Sequence, residues 1–276
     1  MKEMKELFFL LIALSFAIGQ EYNETLGKYL WQMALPGHCP LDIIKSWTCG
    51  KACTLHPNVR DVTPFESKEG AHGYVGYDLD TNSIIVTFRG TTTAKDYIYD
   101  FNFFHENFKQ CQDCKIHRGF WTLWLSIKDR IIPLCKALIE KYPKAKLHLT
   151  GHSLGGSLVT LLSLELRNLA KIDSIYTFGM PRLGNKNLAD WIKKTSSPKI
   201  FRVTHDRDPV PHLPPQLFGF HHYPYEIFYN KKWEVTICND SGEDPKCANS
   251  VFLPLNGTEH PDYYNMYQND YIICRP

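Results

Sequence analysis

The sequence has almost no excess of charge and, beyond its first residues, no long apolar run. Lysine and arginine number 31 and aspartate and glutamate number 29, which leaves a formal net charge of +2. A balance so close to zero, without clustered basic residues, does not support a nucleic-acid partner. No stretch after residue 19 is apolar for long enough to form a transmembrane helix. No linker, repeat or low-complexity tract divides residues 20–276, which we expect to form a single domain with a substantial core.

The N-terminus has the pattern of a secretory signal peptide. A mildly basic start is followed by an apolar run over residues 7–18, and Ala17 and Gly19 supply small residues at the usual cleavage spacing. The run is too short to span a bilayer comfortably, so a membrane anchor is the weaker alternative. We therefore predict that residues 1–19 are a signal peptide and that the protein is secreted. A secreted protein can be N-glycosylated, and the sequence has three acceptor sequons, at Asn23, Asn239 and Asn256.

Nine cysteines in a secreted chain predict disulfides with one thiol left over. Three pairs are close in sequence and can each close a local loop, and two cysteines near the ends can join the termini. These pairs are Cys49–Cys53, Cys111–Cys114, Cys238–Cys247 and the terminal pair Cys39–Cys274. Cys135 remains, on the apolar face of a predicted helix, where it acts as a small hydrophobe. A zinc site at Cys111 and Cys114 is the alternative, but no second pair at zinc-site spacing accompanies them, so we expect no metal.

Predicted strands alternate with predicted helices, which indicates an α/β fold with a largely parallel sheet. A short N-terminal helix is followed by a loop with cysteines and prolines that runs through Pro64. The longest amphipathic helix contains Pro133, which we expect to kink it. The predicted helices cover residues 22–34, 120–142 and 187–194, and the strands cover residues 73–77, 83–88, 174–178 and 200–204. Residues 225–229 and 233–238 predict a late hairpin that forms an antiparallel edge.

One turn between a buried strand and a packed helix carries the strongest chemical signal. The residues Gly151-His-Ser153-Leu-Gly155 match the G-x-S-x-G nucleophile elbow, after an alternating apolar run and before leucines at helical spacing. The two glycines leave room for strand and helix to approach, and the strained turn presents the serine hydroxyl at the carboxyl edge of the sheet. A serine that only caps the helix is the structural alternative.

A serine hydroxyl becomes a good nucleophile when a base takes its proton and a buried acid orients that base. In elbow enzymes the acid and then the histidine follow the serine along the chain. Asp206 and Asp208 are both candidates for the acid, although either one could belong to a surface turn or an ion site. His212 shares a loop with Asp208, which makes it the weaker partner. Chain order does not choose among the candidate histidines, which are His212, His221, His222 and His260.

Large apolar side chains crowd residues 95–104, directly after the polar turn of residues 89–93. Such an aromatic stretch is the usual composition of a core helix. It is also the composition of a lid that covers a hydrophobic site in water and opens on lipid. The composition alone leaves both interpretations open.

Five motifs together make the chain resemble the class 3, or fungal-type, lipases of the α/β-hydrolase fold. They are Phe88-Arg-Gly90-Thr91, His117-Arg-Gly119-Phe120, Gly151-His-Ser153-Leu-Gly155-Gly156, Arg207-Asp208-Pro-Val-Pro211 and Glu259-His260, in that family's order and at about its spacing. The resemblance covers essentially the whole mature chain. It implies Ser153 as the nucleophile, Asp208 rather than Asp206 as the orienting acid, and His260 as the general base.

The same resemblance implies an oxyanion hole and a lid. The backbone N–H groups of Thr91 and Leu154 would form the oxyanion hole, with the Thr91 hydroxyl as a third donor. The lid would cover about residues 93–104. Its apolar residues Tyr97, Ile98, Tyr99 and Phe101 favour water-insoluble acyl esters, although Tyr97 stands where several relatives have tryptophan. The disulfide pattern also resembles that of the family.

We therefore expect a secreted serine esterase, above all a triacylglycerol lipase, that needs no cofactor and acts as a monomer at a lipid–water interface. Within the enzyme class, the alternatives are a phospholipase A1 and a feruloyl-type esterase. Outside it, the alternative is a non-catalytic relative that binds lipid or carbohydrate and keeps the fold.

Overall fold

The computed structural model describes residues 21–91, 103–251 and 257–274. The α-helices in these ranges are α1 Glu24–Ala34, α2 Leu41–Ser46, α3 Lys51–Leu55, α4 Arg118–Lys141, α5 Leu154–Leu166, α6 Lys186–Thr195 and α7 Gln268–Tyr271. The strands are β1 Val59–Glu66, β2 His72–Asp78, β3 Ser83–Phe88, β4 His105–Asn107, β5 Lys115–His117, β6 Lys146–His152, β7 Ser174–Phe178, β8 Gly184–Asn185, β9 Ile200–His205, β10 Phe220–His221, β11 Glu226–Tyr229, β12 Val235–Ile237, β13 Asp262–Tyr263 and β14 Met266–Tyr267. Single 3-10 turns cover Leu35–His38, Val210–His212, Gln216–Phe218 and Ala248–Ser250.

Eight of these strands form one sheet in the order β1-β2-β3-β6-β7-β9-β11-β12. The five central strands, from β3 to β11, run parallel. Strands β1 and β2 add antiparallel at one edge and β12 at the other. Parallel neighbours need crossover connections, and helices α4, α5 and α6 lie in them. The predicted α/β class, with a parallel centre and a late antiparallel hairpin, is confirmed.

Strand β3 shows how the core is divided between the two faces of the sheet. Ile84 and Val86 pack into one cluster together with Leu158 of α5. Ile85 packs into a second cluster, which contains Trp31 of α1. Because successive side chains of a strand point to opposite faces, a strand buried along its whole length must be covered on both sides. Helices α4 and α5 cover one face and α1 covers the other.

The predicted loop through Pro64 is wrong in part, because α2, α3 and β1 lie within it. Strand β1 is at the edge of the sheet, its pairing with β2 shifts register between Arg60 and Thr63, and it contains Pro64. An edge strand exposes alternate polar side chains and tolerates proline, so its sequence has the composition of a loop. The long amphipathic helix was predicted as such, and α4 continues through Pro133 as one element.

Four disulfides hold the described chain together, and they join the pairs predicted from the sequence. The bond between Cys39 and Cys274 links residues 235 positions apart. The others close short loops, at Cys49–Cys53, Cys111–Cys114 and Cys238–Cys247. Cys135 is a buried free thiol, and burial raises its pKa to about 12.

Among the helices of the described ranges, none combines the length and the apolar character needed to cross a membrane.

Candidate active site

Ser153 lies at a sharp turn between β6 and α5. Its backbone has φ of 56° and ψ of −129°, a conformation that costs a serine on the order of 1–3 kcal/mol. The turn is held in place because the Ser153 N–H donates to the carbonyl oxygen of Phe178, at the end of β7, over 2.7 Å. A Cβ atom on Gly155 would overlap the Phe88 carbonyl at the end of β3. Glycine is therefore required for the helix to start this close to the sheet.

Asp208 follows β9 at the same carboxyl edge of the sheet and is 1% exposed. Its carboxylate oxygens lie 2.9 and 3.0 Å from Nδ1 of His260. Oδ1 also accepts from the backbone N–H of Val210 at 2.9 Å, and Oδ2 accepts from the Tyr263 hydroxyl at 2.6 Å. A buried carboxylate is tolerated when donors satisfy it in this way. These contacts place Asp208, rather than Asp206, against a histidine.

The other acid candidate, His221 and His222 make their hydrogen bonds elsewhere. Asp206 is only partly buried, at a φ of 33°, and its N–H donates to Tyr229. His222 lies 2.8 Å from the Pro211 carbonyl and His221 lies 3.1 Å from the Ser241 carbonyl. Burial lowers the pKa of His212 to about 4. Of the four candidate histidines, all within the described ranges, His260 is the one whose ring contacts Asp208.

The second ring nitrogen of His260 is the one suited to accept a proton. Nδ1 faces the Asp208 carboxylate, which accepts only, so the hydrogen of a neutral ring lies on Nδ1 and the lone pair lies on Nε2. Nε2 is buried and has no hydrogen-bond partner among the residues that the structure describes. Ser153, His260 and Thr91 all line one cavity of about 460 Å³. A base with a free lone pair therefore shares a cavity with the strained serine.

The two residues predicted to form an oxyanion hole both lie near Ser153. Leu154 is the first residue of α5, and the first N–H groups of a helix have no acceptor within it. Thr91 lines the cavity, and its buried Oγ1 has no hydrogen-bond partner within the described part of the chain. A Cβ atom on Gly90 would lie 2.8 Å from the Cβ of Ser153, so the turn after β3 approaches the elbow closely. Donors at these positions suit a negative charge that develops next to the serine.

Some predicted residues are not tested by this geometry. The lid residues Tyr97, Ile98, Tyr99 and Phe101 lie outside the described residues, and so does the sequon at Asn256. Asn23 and Asn239 are exposed.

One group of side chains in the described residues has the spacing of metal ligands. Glu226 has ligand-type atoms within 4.8 Å of those of Cys238 and Cys247, but these two sulfurs are bonded to each other and cannot act as thiolate ligands.

Sequence reasoning missed two side chains that contact the Asp208–His260 region. Tyr263 is fully buried and donates to Asp208. Burial, followed by the charge of Asp208, raises the pKa of Tyr263 far above its usual range, so it remains a donor. His152, in the variable position of the elbow motif, reaches the backbone of His260 over 2.8 Å. Neither residue belongs to a motif that assigns it a role.

A serine on a strained strand-to-helix elbow, with an aspartate–histidine pair after it at the carboxyl edge of a parallel sheet, defines the class of α/β-hydrolases with a serine-type site. The family model described as lipase (class 3) matches residues 85–218. The chain belongs to this family of class 3 lipases.

Individual relatives are similar to this chain in sequence and in fold. A lipase of Rhizopus niveus is 31% identical over 263 residues, which cover 92% of this chain and 66% of the relative. The secreted mono- and diacylglycerol lipase A of Penicillium cyclopium is 32% identical over 166 residues, 60% of this chain and 54% of the relative. The crystal structure of a lipase from Rhizopus microsporus var. chinensis superposes with a TM-score of 0.81 at 27% identity and covers 92% of both chains. The matched part of the chain thus spans somewhat less than two thirds of the Rhizopus niveus relative and about half of the Penicillium relative.

Proposed function

We propose that the protein is a secreted serine esterase that hydrolyses acyl esters of lipids, above all triacylglycerols, through an acyl-enzyme. The observation that carries this proposal is the contact of 2.9 Å between Asp208 and Nδ1 of His260. Among the described residues, Nε2 of His260 then has no partner, and His260 lines the same cavity as Ser153. Membership of the class 3 lipase family supports the same reaction.

In the proposed mechanism, Nε2 of His260 takes the hydroxyl proton of Ser153 while Oγ attacks the ester carbonyl carbon. The negative charge on the carbonyl oxygen is stabilised by the N–H groups of Thr91 and Leu154 and by the Thr91 hydroxyl. His260 then gives its proton to the leaving alcohol, and an acyl-serine remains. Water, deprotonated by the same nitrogen, attacks the acyl-serine, and His260 returns the proton to Oγ of Ser153 as the fatty acid leaves. Asp208 keeps the ring of His260 in the required tautomer throughout.

In this proposal the protein acts outside the cell, at a lipid surface. We infer that residues 1–19 are removed as a signal peptide, that residues 20–276 form one domain, and that about residues 93–104 act as a lid. Tyr97, Ile98, Tyr99 and Phe101 would then meet a lipid surface when the lid opens. The secreted Penicillium relative supports an extracellular site of action.

The first experiment measures hydrolysis of a short-chain triacylglycerol as its concentration rises through the solubility limit, with Ser153→Ala as the blank. A jump in rate when droplets appear supports a lipase with an interfacial lid. A smooth curve that saturates before droplets form indicates an esterase of soluble substrates, such as a feruloyl-type enzyme. If a covalent serine-hydrolase probe labels neither the wild type nor Ser153→Ala, the protein is a binding relative and the proposal fails.

A second candidate function, hydrolysis of phospholipids of the A1 type, is favoured by Arg89. Arg89 lines the same cavity, and its buried Nε has no hydrogen-bond partner in residues 21–91, 103–251 and 257–274. The described residues that line this cavity include no aspartate or glutamate. A phosphodiester near the scissile ester would supply the oxygen acceptors that a guanidinium prefers.

The ratio of the rates of phosphatidylglycerol and triacylglycerol hydrolysis distinguishes the two candidate functions. If Arg89 binds the phosphate, Arg89→Gln lowers this ratio about tenfold, the cost of a hydrogen bond to a charged group. Arg60→Gln, at an exposed arginine on the edge strand, is the matched control and leaves the ratio unchanged. A wild-type enzyme without phospholipid hydrolysis, or an unchanged ratio in Arg89→Gln, removes the second candidate.

A further inference from the structure

Two histidines, His38 and His152, line the same cavity as Ser153 and His260. His152 immediately precedes Ser153, and its Nε2 is 2.8 Å from the backbone carbonyl oxygen of His260. Its Nδ1 is 3.2 Å from Nε2 of His38. The His152 ring is 3% exposed, and the indole of Trp31 packs edge-on against it with 5.3 Å between ring centroids. The ring therefore has one position, and both of its nitrogens are used.

The chemistry of the two contacts determines where the hydrogens lie. A carbonyl oxygen only accepts, so Nε2 of His152 must donate to the His260 carbonyl. In a neutral ring Nδ1 of His152 is then the acceptor, and Nε2 of His38 must be the donor. Burial, followed by the charge of Arg89, lowers the pKa of His38 to about 3, and burial also lowers the pKa of His152. Both rings therefore stay neutral near neutral pH, with a single arrangement of hydrogens.

These bonds connect three distant parts of the chain at one point. His38 belongs to the segment after α1, His152 to the elbow, and His260 to the C-terminal segment. The neighbour of His38, Cys39, is itself bonded to Cys274 at the other end of that C-terminal segment. The C-terminal segment has little regular structure besides the short β13–β14 pair and α7. It thus depends on side-chain contacts for its position relative to Ser153.

We propose that His152, oriented by His38, is a positioning residue that holds the backbone of His260 at a constant distance from Ser153. The ring of His260 is held by Asp208 and its backbone by His152, so the general base is fixed at two points. Because His152 and Ser153 are consecutive, the nucleophile and the anchor of the base move together. The proposal rests on the catalytic roles proposed above for Ser153 and His260.

The test compares variants of His152 on a soluble short-chain ester, with kcat and KM measured separately. In His152→Gln the amide nitrogen lies near the place of Nε2 and can still donate to the His260 carbonyl, so kcat stays within about threefold of wild type. In His152→Leu the donor is lost, and in His152→Asn it is too short to reach. For both we expect kcat to fall about tenfold to a hundredfold with KM unchanged, since a small misplacement of a catalytic group has an effect of this size.

A matched control is available on the same strand. His148 is a buried histidine of β6 whose Nδ1 lies 2.7 Å from the Ser174 hydroxyl, away from the site. His148→Leu should lower the melting temperature without lowering kcat. If His152→Leu does not fold, the comparison of His152→Gln with His152→Asn tests the same point with two polar side chains.

Three outcomes would overturn the proposal. They are a folded His152→Leu or His152→Asn with the kcat of wild type, a His152→Gln no better than His152→Asn, and a His148→Leu with an equal loss of kcat. A wild-type protein that neither hydrolyses esters nor labels at Ser153 would instead overturn the proposed function itself, so the two failures are distinguishable.

Discussion

Tyr263 donates a hydrogen bond of 2.6 Å to Oδ2 of Asp208, the same oxygen that lies 2.9 Å from Nδ1 of His260. Tyr263 is three positions after His260, so one short segment contacts the carboxylate through two side chains. A glycine is needed beside this group, because a Cβ atom on Gly179 would lie 2.8 Å from Oδ2 of Asp208 and 2.9 Å from the His260 ring. The carboxylate is thus enclosed by the groups that orient it.

Removing the tyrosine hydroxyl should slow the reaction without weakening binding. Tyr263→Phe loses a hydrogen bond to a charged group, worth about 1.5 kcal/mol, so we expect kcat to fall about tenfold with KM unchanged. Steady-state kinetics on a soluble ester measure this. Tyr264→Phe is the control, because the Tyr264 hydroxyl contacts Tyr22 instead. A Tyr263→Phe enzyme with the kcat of wild type would show that the hydroxyl serves packing alone.

The two aspartates of the loop after β9 should differ strongly in effect. Asp208→Asn replaces an acceptor of the Nδ1–H of His260 with a group that can stabilise the wrong tautomer, and kcat should fall by about 10⁴. Asp206→Asn should change kcat by less than about threefold, because the hydrogen bond of Asp206 to Tyr229 of β11 comes from its backbone N–H, which the substitution keeps. Rates and circular dichroism of both variants check this, and equal losses would contradict the assignment of Asp208.

Thr91 should contribute to the transition state through its hydroxyl. Thr91→Val keeps the shape of the side chain and removes the buried Oγ1, so we expect kcat to fall by about tenfold to a thousandfold, as for other oxyanion-hole donors. Thr91→Ser retains the hydroxyl and should recover most of the rate. Full activity in Thr91→Val would mean that backbone N–H groups alone stabilise the oxyanion.

The disulfides should differ in their contributions to stability according to the loops they close. Replacing Cys39 and Cys274 with serine opens a connection between residues 235 positions apart and should lower the free energy of unfolding by about 4 kcal/mol. The same change at Cys111 and Cys114, which are 3 positions apart, should cost clearly less. Urea denaturation measures both, and equal losses would show that loop length does not decide the effect.

A buried ion pair between Arg182 and Glu243 should make stability depend on pH. The Arg182 Nε lies 2.7 Å from the carboxylate, and the two side chains are 3% and 8% exposed. Burial alone would raise the pKa of Glu243, but the hydrogen bonds and charge of Arg182 outweigh it and hold the pKa below its usual value of 4.5. The contribution of the pair is therefore complete above pH 4.5 and is lost as the pH falls towards the lowered folded-state value.

Glu243→Gln should accordingly lower the free energy of unfolding by about 3 kcal/mol at neutral pH. The difference from wild type should narrow as the pH falls below the usual value of the carboxyl. Urea denaturation at several pH values measures this difference. Glu24→Gln, which removes the exposed pair between Glu24 and Lys28, should change stability by less than about 1 kcal/mol. A difference for Glu243→Gln that does not vary with pH would rule out the ionised carboxylate as its cause.

Local patterns in the sequence were sufficient for the α/β class and for the elbow. The alternation of strands and helices follows from hydrophobic periodicity, which each segment carries within its own residues. The position of Ser153 follows from two glycines within five consecutive residues, because the close approach of β6 and α5 is a local requirement. Strand β1 was not predicted, because an edge strand packs against other elements on fewer sides and so has a weaker hydrophobic pattern.

Residue chemistry left two aspartates and four histidines open, and the resemblance to class 3 lipases was needed to choose among them. Which histidine contacts Asp208 depends on a pairing of residues 52 positions apart. The contact of His152 with His260 joins residues 108 positions apart, and no local pattern encodes it. Such pairs form only when the sheet brings the ends of its strands to one edge and the C-terminal segment closes over them. The elbow at Ser153 was therefore determined by the sequence, whereas the pairing of His260 with Asp208 was decided by the tertiary structure.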